Sequence, residues 1–264
     1  MAASDGIPEA LPNELPHIDP ARRPTVLVSD LQVDYRVFVA GKRMNNPDAV
    51  VRGGLGTSLV HALRGVSFVA YEGESIGVIG HNGSGKSTLM KAIAGLVPPA
   101  RGAVYASARP SLLGVGAALI PQISGEKNIT LGTLALGMTP AESRAAYQGI
   151  VDFTEMEEYL DLPMRTYSSG MTARLKFGIA MAKSHSILLI DEALSVGDKS
   201  FKSKSEERIR EARGSAGTVF LVSHSMRSIM DSCERTIWID HGRLVMDGPS
   251  SEVVDTYKQS TKGL

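Results

Sequence analysis

Gly80-His81-Asn82-Gly83-Ser84-Gly85-Lys86-Ser87-Thr88 is the stretch on which the fold of this chain turns. Its spacing is G-x-x-x-x-G-K-[ST], which has meaning when a strand precedes it and a helix follows. Residues 75–79 read as that strand and run directly into the loop; residues 86–94 read as the helix, stopped by Gly95 and the Pro98-Pro99 pair. Gly80, Gly83 and Gly85 let the backbone curl so that successive N–H groups, through Ser84 and Thr88, point inward at phosphate oxygens. The helix beginning near Lys86 adds the positive end of its dipole. Lys86 is placed to reach the β- and γ-phosphates, and the Ser87 hydroxyl to ligate magnesium. His81 and Asn82 fill variable positions of the loop and receive no side-chain chemistry. A Gly-rich strand–helix turn without a ligand has no use for the Lys-Ser pair. Alone, the motif fixes only a nucleoside triphosphate.

Further along, Ile187-Leu188-Leu189-Ile190-Asp191-Glu192 is four apolar residues followed by two carboxylates. A buried parallel strand reads this way, and the C-terminal ends of such strands are where ligands bind. Asp191 is placed to hold magnesium through its water shell, and Glu192 to polarise the water that attacks the γ-phosphate in line. Read alone, two acids at a strand end are as well explained as a solvated surface; behind a phosphate loop the chemical reading prevails.

The pattern around these motifs is that of an α/β protein. Residues 25–38 are β-rich; residues 41–58 look like a loop, broken by Asn45-Asn46-Pro47 and Gly53-Gly54; strand character returns over 63–69. The middle, 126–160, is mostly helix-forming, with one helix opened at Pro140 and another over 150–159. A polar turn at 167–170 precedes a helix reaching about Ala182. Then strand 187–190, helix 200–213, strand 218–222 and helix 226–233 alternate, and a hairpin pairs 237–239 with 244–246. Such alternation predicts a mostly parallel sheet with helices on both faces.

Composition narrows the classes. With 43% hydrophobic residues in 264 the chain can bury a sizeable core, and 28 basic against 28 acidic residues argue against a dedicated nucleic-acid partner. Cys233 is the single cysteine, so no internal disulfide forms and nothing suggests an oxidising compartment. No run approaches the roughly 18 apolar residues that cross a bilayer. Residues 1–24 lack the basic-then-apolar order of a secretory signal and read as a disordered tail.

Tyr167-Ser168-Ser169-Gly170-Met171, just ahead of the Asp-Glu strand, resembles the signature turn of ABC ATPases in the form seen in polysaccharide exporters. Around it, Gln122 within 120–126 looks like that family's glutamine loop, Ser195-Val196-Gly197-Asp198 like its D-loop, and Ser223-His224-Ser225 like its switch-histidine loop. Each piece alone has a plain reading, a Ser-Ser-Gly helix cap or a structural histidine. Together with the phosphate loop and the Asp-Glu strand end, all in the family's order, they leave the resemblance unambiguous. It implies a P-loop, RecA-like core over 25–248, with an antiparallel β-subdomain over about 25–75, an inserted helical subdomain over about 123–170, and a C-terminal helix within 249–264. It also implies ATP and Mg2+ as cofactors, Ser87, Gln122 and Asp191 at the metal, and Glu192 and His224 as the catalytic pair. Ser168, Ser169 and Gly170 of one copy would close over the γ-phosphate at Lys86 of a second, with Asp198 beside the nucleotide. Tyr35 is either a sheet aromatic or the ring that stacks on adenine.

The finer resemblance is to exporters of lipid-linked surface polysaccharides, of the teichoic acid and O-antigen type. It rests on residues 113–116, 154–155, 162–171, 191–198, 222–225 and 252–257. It implies two copies of this chain working with two copies of a polytopic permease on the cytoplasmic face of the membrane, moving a glycan on a lipid carrier, a teichoic acid or wall galactan. The long segment between Tyr35 and His61 is either a loose surface loop or lies near the entrance for the lipid head. Gln122 departs from the many relatives with an acid at its place. The chain also ends soon after Gly248, which leaves substrate recognition to the permease. Competing readings are a soluble ABC ATPase acting on ribosomes or DNA, and the ATPase of a small-molecule exporter.

Overall fold

The computed structural model describes residues 16–38, 49–50, 57–113, 119–191, 199–215, 217–223 and 225–261. It divides into two compact units, one drawn from Met1–Pro110 with Gly217–Leu264, the other from Ser111–Ala216.

The first unit holds two sheets. In the antiparallel one, β1 (Pro24–Phe38) lies between β3 (Thr57–Tyr71) and β5 (Arg101–Ala106), with the two-residue β2 (Ala49–Val50) on the far side of β3. Strand β1 shows how the sequence sets its register. Val26 and Val28 are buried, and then the inward phase slips to Leu31 and Val33. Period-2 alternation cannot make that change without an extra residue. The pairing with β3 shifts there, between Val28 and Leu31, and Asp30 takes a φ of 42°. The second sheet runs β10 (Arg243–Pro249), β9 (Arg235–Asp240), β4 (Ser75–Ile79), β8 (Thr218–Val222). β4 is parallel to both β8 and β9, and only β10 is antiparallel. Buried on both faces, β4 and β8 are near-continuous apolar runs, as central parallel strands are. Helices α1 (Lys86–Ile93), α6 (Met226–Ser232) and α7 (Ser250–Thr261) complete the unit.

Polar side chains join the two sheets. The Thr25 and Thr218 hydroxyls lie 2.7 Å apart, so one donates to the other while the acceptor of the pair gives its own hydrogen to a β3 carbonyl, Ala70 for Thr25 or Tyr71 for Thr218. Arg235 at the start of β9 grips Asp247 with two hydrogen bonds, of 2.7 and 2.6 Å, and also donates to Glu74 and to the Val69 carbonyl.

The second unit has a small parallel pair, β6 (Ser111–Leu112) with β7 (Ile187–Ile190), and four helices: α2 (Gly125–Ala135), α3 (Pro140–Thr154), α4 (Ser169–Ala180) and α5 (Lys199–Ser215). Ile129, Ile150, Val151, Leu175 and Ile179 form the core between α2, α3 and α4. A separate helix over 150–159 does not exist. Ile150 and Val151 continue the apolar face of α3, which ends at Glu155 with φ 54°, and a short 3-10 turn, Glu157–Tyr159, follows. Sequence reading also passed over β5 and β6, both short and weakly apolar, and started β3 six residues late. No helix among the described residues is long and apolar enough to cross a membrane.

Candidate nucleotide site

The loop between β4 and α1 is built by close backbone approach. Gly80, with φ 145°, lies so near the Ile239 carbonyl that a β-carbon would meet it at 2.1 Å. Gly85, with φ 112°, caps α1 and packs on the Ala62 carbonyl at 2.7 Å from where its β-carbon would stand. Gly83 has open space but a φ of 80°, so conformation alone demands it. From the other side, the β9–β10 turn holds the loop: Gly242 donates from its N–H to the Ser84 carbonyl at 2.8 Å, and accepts from the Arg64 N–H at 2.8 Å.

Three features of this loop suit a phosphate. Among the described residues no side chain caps the N-terminus of α1, so none of them gives the first-turn N–H groups the usual side-chain oxygen. The Ser84 hydroxyl is fully buried and has no hydrogen-bond partner among the described residues. Lys86 is 7% exposed, its ammonium donating to the carbonyls of Gly80 and His81, each at 2.8 Å. A buried ammonium at the start of a helix favours an anion over a neutral ligand. Ser87 and Thr88 follow on the first turn of α1, Ser87 exposed and Thr88 half-buried.

In the second unit, β7 is buried throughout and delivers Asp191, half-buried, at its C-terminal end. Glu192, Asp198 and His224 lie outside the described residues, as do 114–116 of the stretches that carry the finer resemblance. Around His224, Ser225 caps α6, accepting from the Ser228 N–H at 3.2 Å and donating from its own N–H to the Ser223 hydroxyl at 3.1 Å. Gln122 is exposed in the turn before α2. Tyr35 is half-buried on β1 opposite Val60.

Ser168 is the N-cap of α4, its hydroxyl accepting from the Met171 N–H at 3.1 Å. The plain capping reading of this turn therefore holds locally, and Ser169 opens the helix exposed to solvent with Gly170 half-buried beside it. Beside them is a groove of about 510 Å3, with Glu155, Tyr159 and Arg174 on its walls. Tyr167 donates its hydroxyl to the Tyr159 carbonyl at 2.7 Å, and burial raises the pKa of its phenol.

One positioning residue went unread in the sequence. Asn128, fully buried on α2, accepts from the Ile120 N–H at 2.7 Å and donates to the carbonyls of Ile120, Ile123 and Ser124. It holds the turn that carries Gln122, and the Met164 and Arg165 N–H groups hold the same turn through the Ile123 and Pro121 carbonyls. The only trace in the sequence is an amide in a helical run at a core-facing position.

A Gly-rich loop that leaves a central parallel strand and enters an uncapped helix defines a phosphate-loop nucleotide-binding fold of the α/β class. The model of one such family, described as ABC transporter, matches residues 63–195. The chain belongs to that family. It is 40% identical over 198 residues to the teichoic acids export ATP-binding protein TagH of Lactococcus lactis, covering 75% of this chain and 42% of that protein. It is 42% identical over 204 residues to the O-antigen export system ATP-binding protein RfbB of Myxococcus xanthus, covering 77% and 47%. With the RfbB of Klebsiella pneumoniae the identity is 38% over 200 residues, covering 75% and 81%. The chain thus spans less than half the length of the first two of these relatives. Among solved structures, the fold matches an ATP binding subunit of an ABC transporter with a TM-score of 0.67 at 22% identity, covering 89% of this chain and 94% of that one. It also matches the dimeric post-hydrolysis state of the cassette MJ0796 bound to ADP and Pi, with a TM-score of 0.64 at 20% identity, covering 85% and 98%.

Proposed function

We propose that this chain binds and hydrolyses ATP as the motor subunit of an exporter that moves a lipid-linked cell-wall or surface polysaccharide. The observation that carries the reading is the phosphate loop itself, a buried lysine and a buried hydroxyl set against an uncapped helix N-terminus. Lys86 and the loop N–H groups hold the β- and γ-phosphates. Ser87 and Asp191 offer the hard oxygen donors that Mg2+ takes, with Gln122 as its sensor. The metal's contribution is to neutralise charge on the transferred phosphoryl group. Glu192 orients and deprotonates the attacking water, and His224 contacts the γ-phosphate. Ser168, Ser169 and Gly170 of a second copy close the site, with Asp198 between the copies and Tyr35 against the adenine.

The substrate class is supported by the names of the relatives, teichoic acids export and O-antigen export, at close to 40% identity across three quarters of the chain. A pair of these chains works with two copies of a polytopic permease at the cytoplasmic face of the membrane, docked through the surface around 122–134. The permease carries the lipid-linked glycan, and no nucleic acid takes part. Glu192→Gln tests the hydrolytic assignment. The variant binds ATP, forms a dimer with two nucleotides, and turns over about a hundredfold or more slowly, because an amide keeps the shape but cannot take a proton. Steady-state phosphate release within a few-fold of the wild type would place the base elsewhere.

A further inference from the structure

We propose that His81, Asp240 and His241 form a binding site for a divalent transition-metal ion, Zn2+ above all, that joins the phosphate loop to the β9–β10 turn. His81 Nε2 lies 2.9 Å from Asp240 Oδ1, and His241 Nε2 lies 3.8 Å from Asp240 Oδ2. One ligand atom from each of the three falls within 4.8 Å of the others. Ligands of a tetrahedral zinc ion with bonds near 2.1 Å stand about 3.4 Å apart. The two contacts, made to different oxygens of Asp240, lie on either side of that spacing, and the exposed His241 ring has to swing inward to set all three ligand atoms on one ion.

The hydrogen bonding of His81 points to a cation. Its Nδ1 is 2.6 Å from the Asn82 carbonyl oxygen, which can only accept, so Nδ1 carries the hydrogen. In the neutral ring Nε2 is then a lone pair facing a carboxylate oxygen. Two acceptors at that distance must share a positive charge, either a second ring proton or a metal ion. A metal-ligating imidazole is held in this same way, its far nitrogen donating to a backbone carbonyl. The second imidazole decides between the two. The rings of His81 and His241 are 4.8 Å apart between centroids, both beside one carboxylate, an arrangement a proton between His81 and Asp240 does not need. Two imidazoles and a carboxylate suit zinc and its first-row neighbours rather than magnesium or calcium.

His241 occupies the first position of a two-residue hairpin turn, with φ 44°, followed by Gly242 with φ 78°. Such turns favour Asn-Gly, and histidine is among the non-glycine residues that take a positive φ, so the turn can present an imidazole here. The His81 and His241 side chains are 42% and 61% exposed and Asp240 12%, so an ion and a completing water can enter from solvent. Since Gly242 already bonds Ser84, an ion here adds a second tie between turn and loop.

The test is calorimetric titration of Zn2+ into the untagged full chain after removal of metal by chelator. One Zn2+ binds per chain at micromolar or lower concentration. His241→Gln and Asp240→Asn each weaken it roughly tenfold or more. Co2+ at the same stoichiometry gives the visible absorption of a tetrahedral N/O site. His241→Gln leaves the melting temperature in chelator unchanged, and Zn2+ raises that temperature in the wild type only. Failure of the wild type to take up Zn2+ overturns the proposal and leaves a His81 imidazolium paired with Asp240. Equal Zn2+ affinity in wild type and His241→Gln overturns it as well.

Discussion

Single residues in this protein act through polar groups held in buried places. Lys86 is almost wholly buried, its ammonium donating to the Gly80 and His81 carbonyls, and on the proposed reading it is the charge that meets phosphate. Lys86→Ala is expected to weaken ATP binding by at least tenfold, since one charge-assisted contact to phosphate is lost in a poorly solvated place. Equilibrium binding of a fluorescent ATP analogue measures it, with circular dichroism as the check on folding. Asn128 makes the complementary point for stability. Its four hydrogen bonds saturate one turn of backbone, so Asn128→Ala strands several groups at once. A loss of about 2–3 kcal/mol in urea denaturation is expected. A loss below half a kilocalorie would mean that water replaces the amide.

Among the elements, α3 shows stability written into the order of residues. Thr139 and Glu142 form a reciprocal capping box and Pro140 stands at the first helical position. Thr139→Ala is expected to cost about 1 kcal/mol, read from the shift in denaturant midpoint at constant slope. The hydrogen bond from the Thr139 backbone N–H, and then that from its side chain, hold the Glu142 carboxyl below its ordinary pKa. A carboxyl lowered on folding contributes fully above its unfolded pKa, and the contribution is lost as pH falls through the folded value. The penalty for Glu142→Gln, which removes the titrating group itself, should therefore shrink in acid and be complete at neutral pH. An unchanged penalty across that range would remove Glu142 from the cap.

At the scale of the whole molecule, the first unit stands or falls on how two differently built sheets are joined. Arg235 is the joint: its guanidinium serves Asp247, Glu74 and the Val69 carbonyl, with side-chain exposures of 22%, 16% and 12% for Arg235, Asp247 and Glu74. Arg235→Leu leaves the largely buried Asp247 without its cation and Glu74 with only the more exposed Arg22 at 2.9 Å, and a cost of about 3 kcal/mol is expected. Thermal melts of the variant should recover when Asp247 is also made Asn, because the surplus charge is then removed. A double variant no more stable than the single one would show that geometry, not charge, is what Arg235 supplies.

Sequence alone determined the parts whose chemistry is local. The phosphate loop needs glycines at set positions and a Lys-Ser pair at a helix start, so Gly80–Thr88 was legible as soon as a strand and a helix flanked it. The strand that ends at Asp191 was legible because four apolar residues in a row mark a buried strand and its exit. The helix caps at Thr139 and Ser168 are equally short-range. Contacts between distant segments were decided by tertiary structure. Asn128 is one amide among several until α2 is folded back over 120–124. The slip of phase in β1 is written in Val26, Val28, Leu31 and Val33, but the place of the extra residue is set only by pairing with β3. His81 fills a variable loop position, and Asp240-His241 is a plain hairpin turn; only the packing of β9 against β4, with Gly80 pressed on the Ile239 carbonyl, brings the three side chains together. Local spacing encodes backbone conformation directly, whereas side chains far apart in sequence meet only where sheet topology carries them.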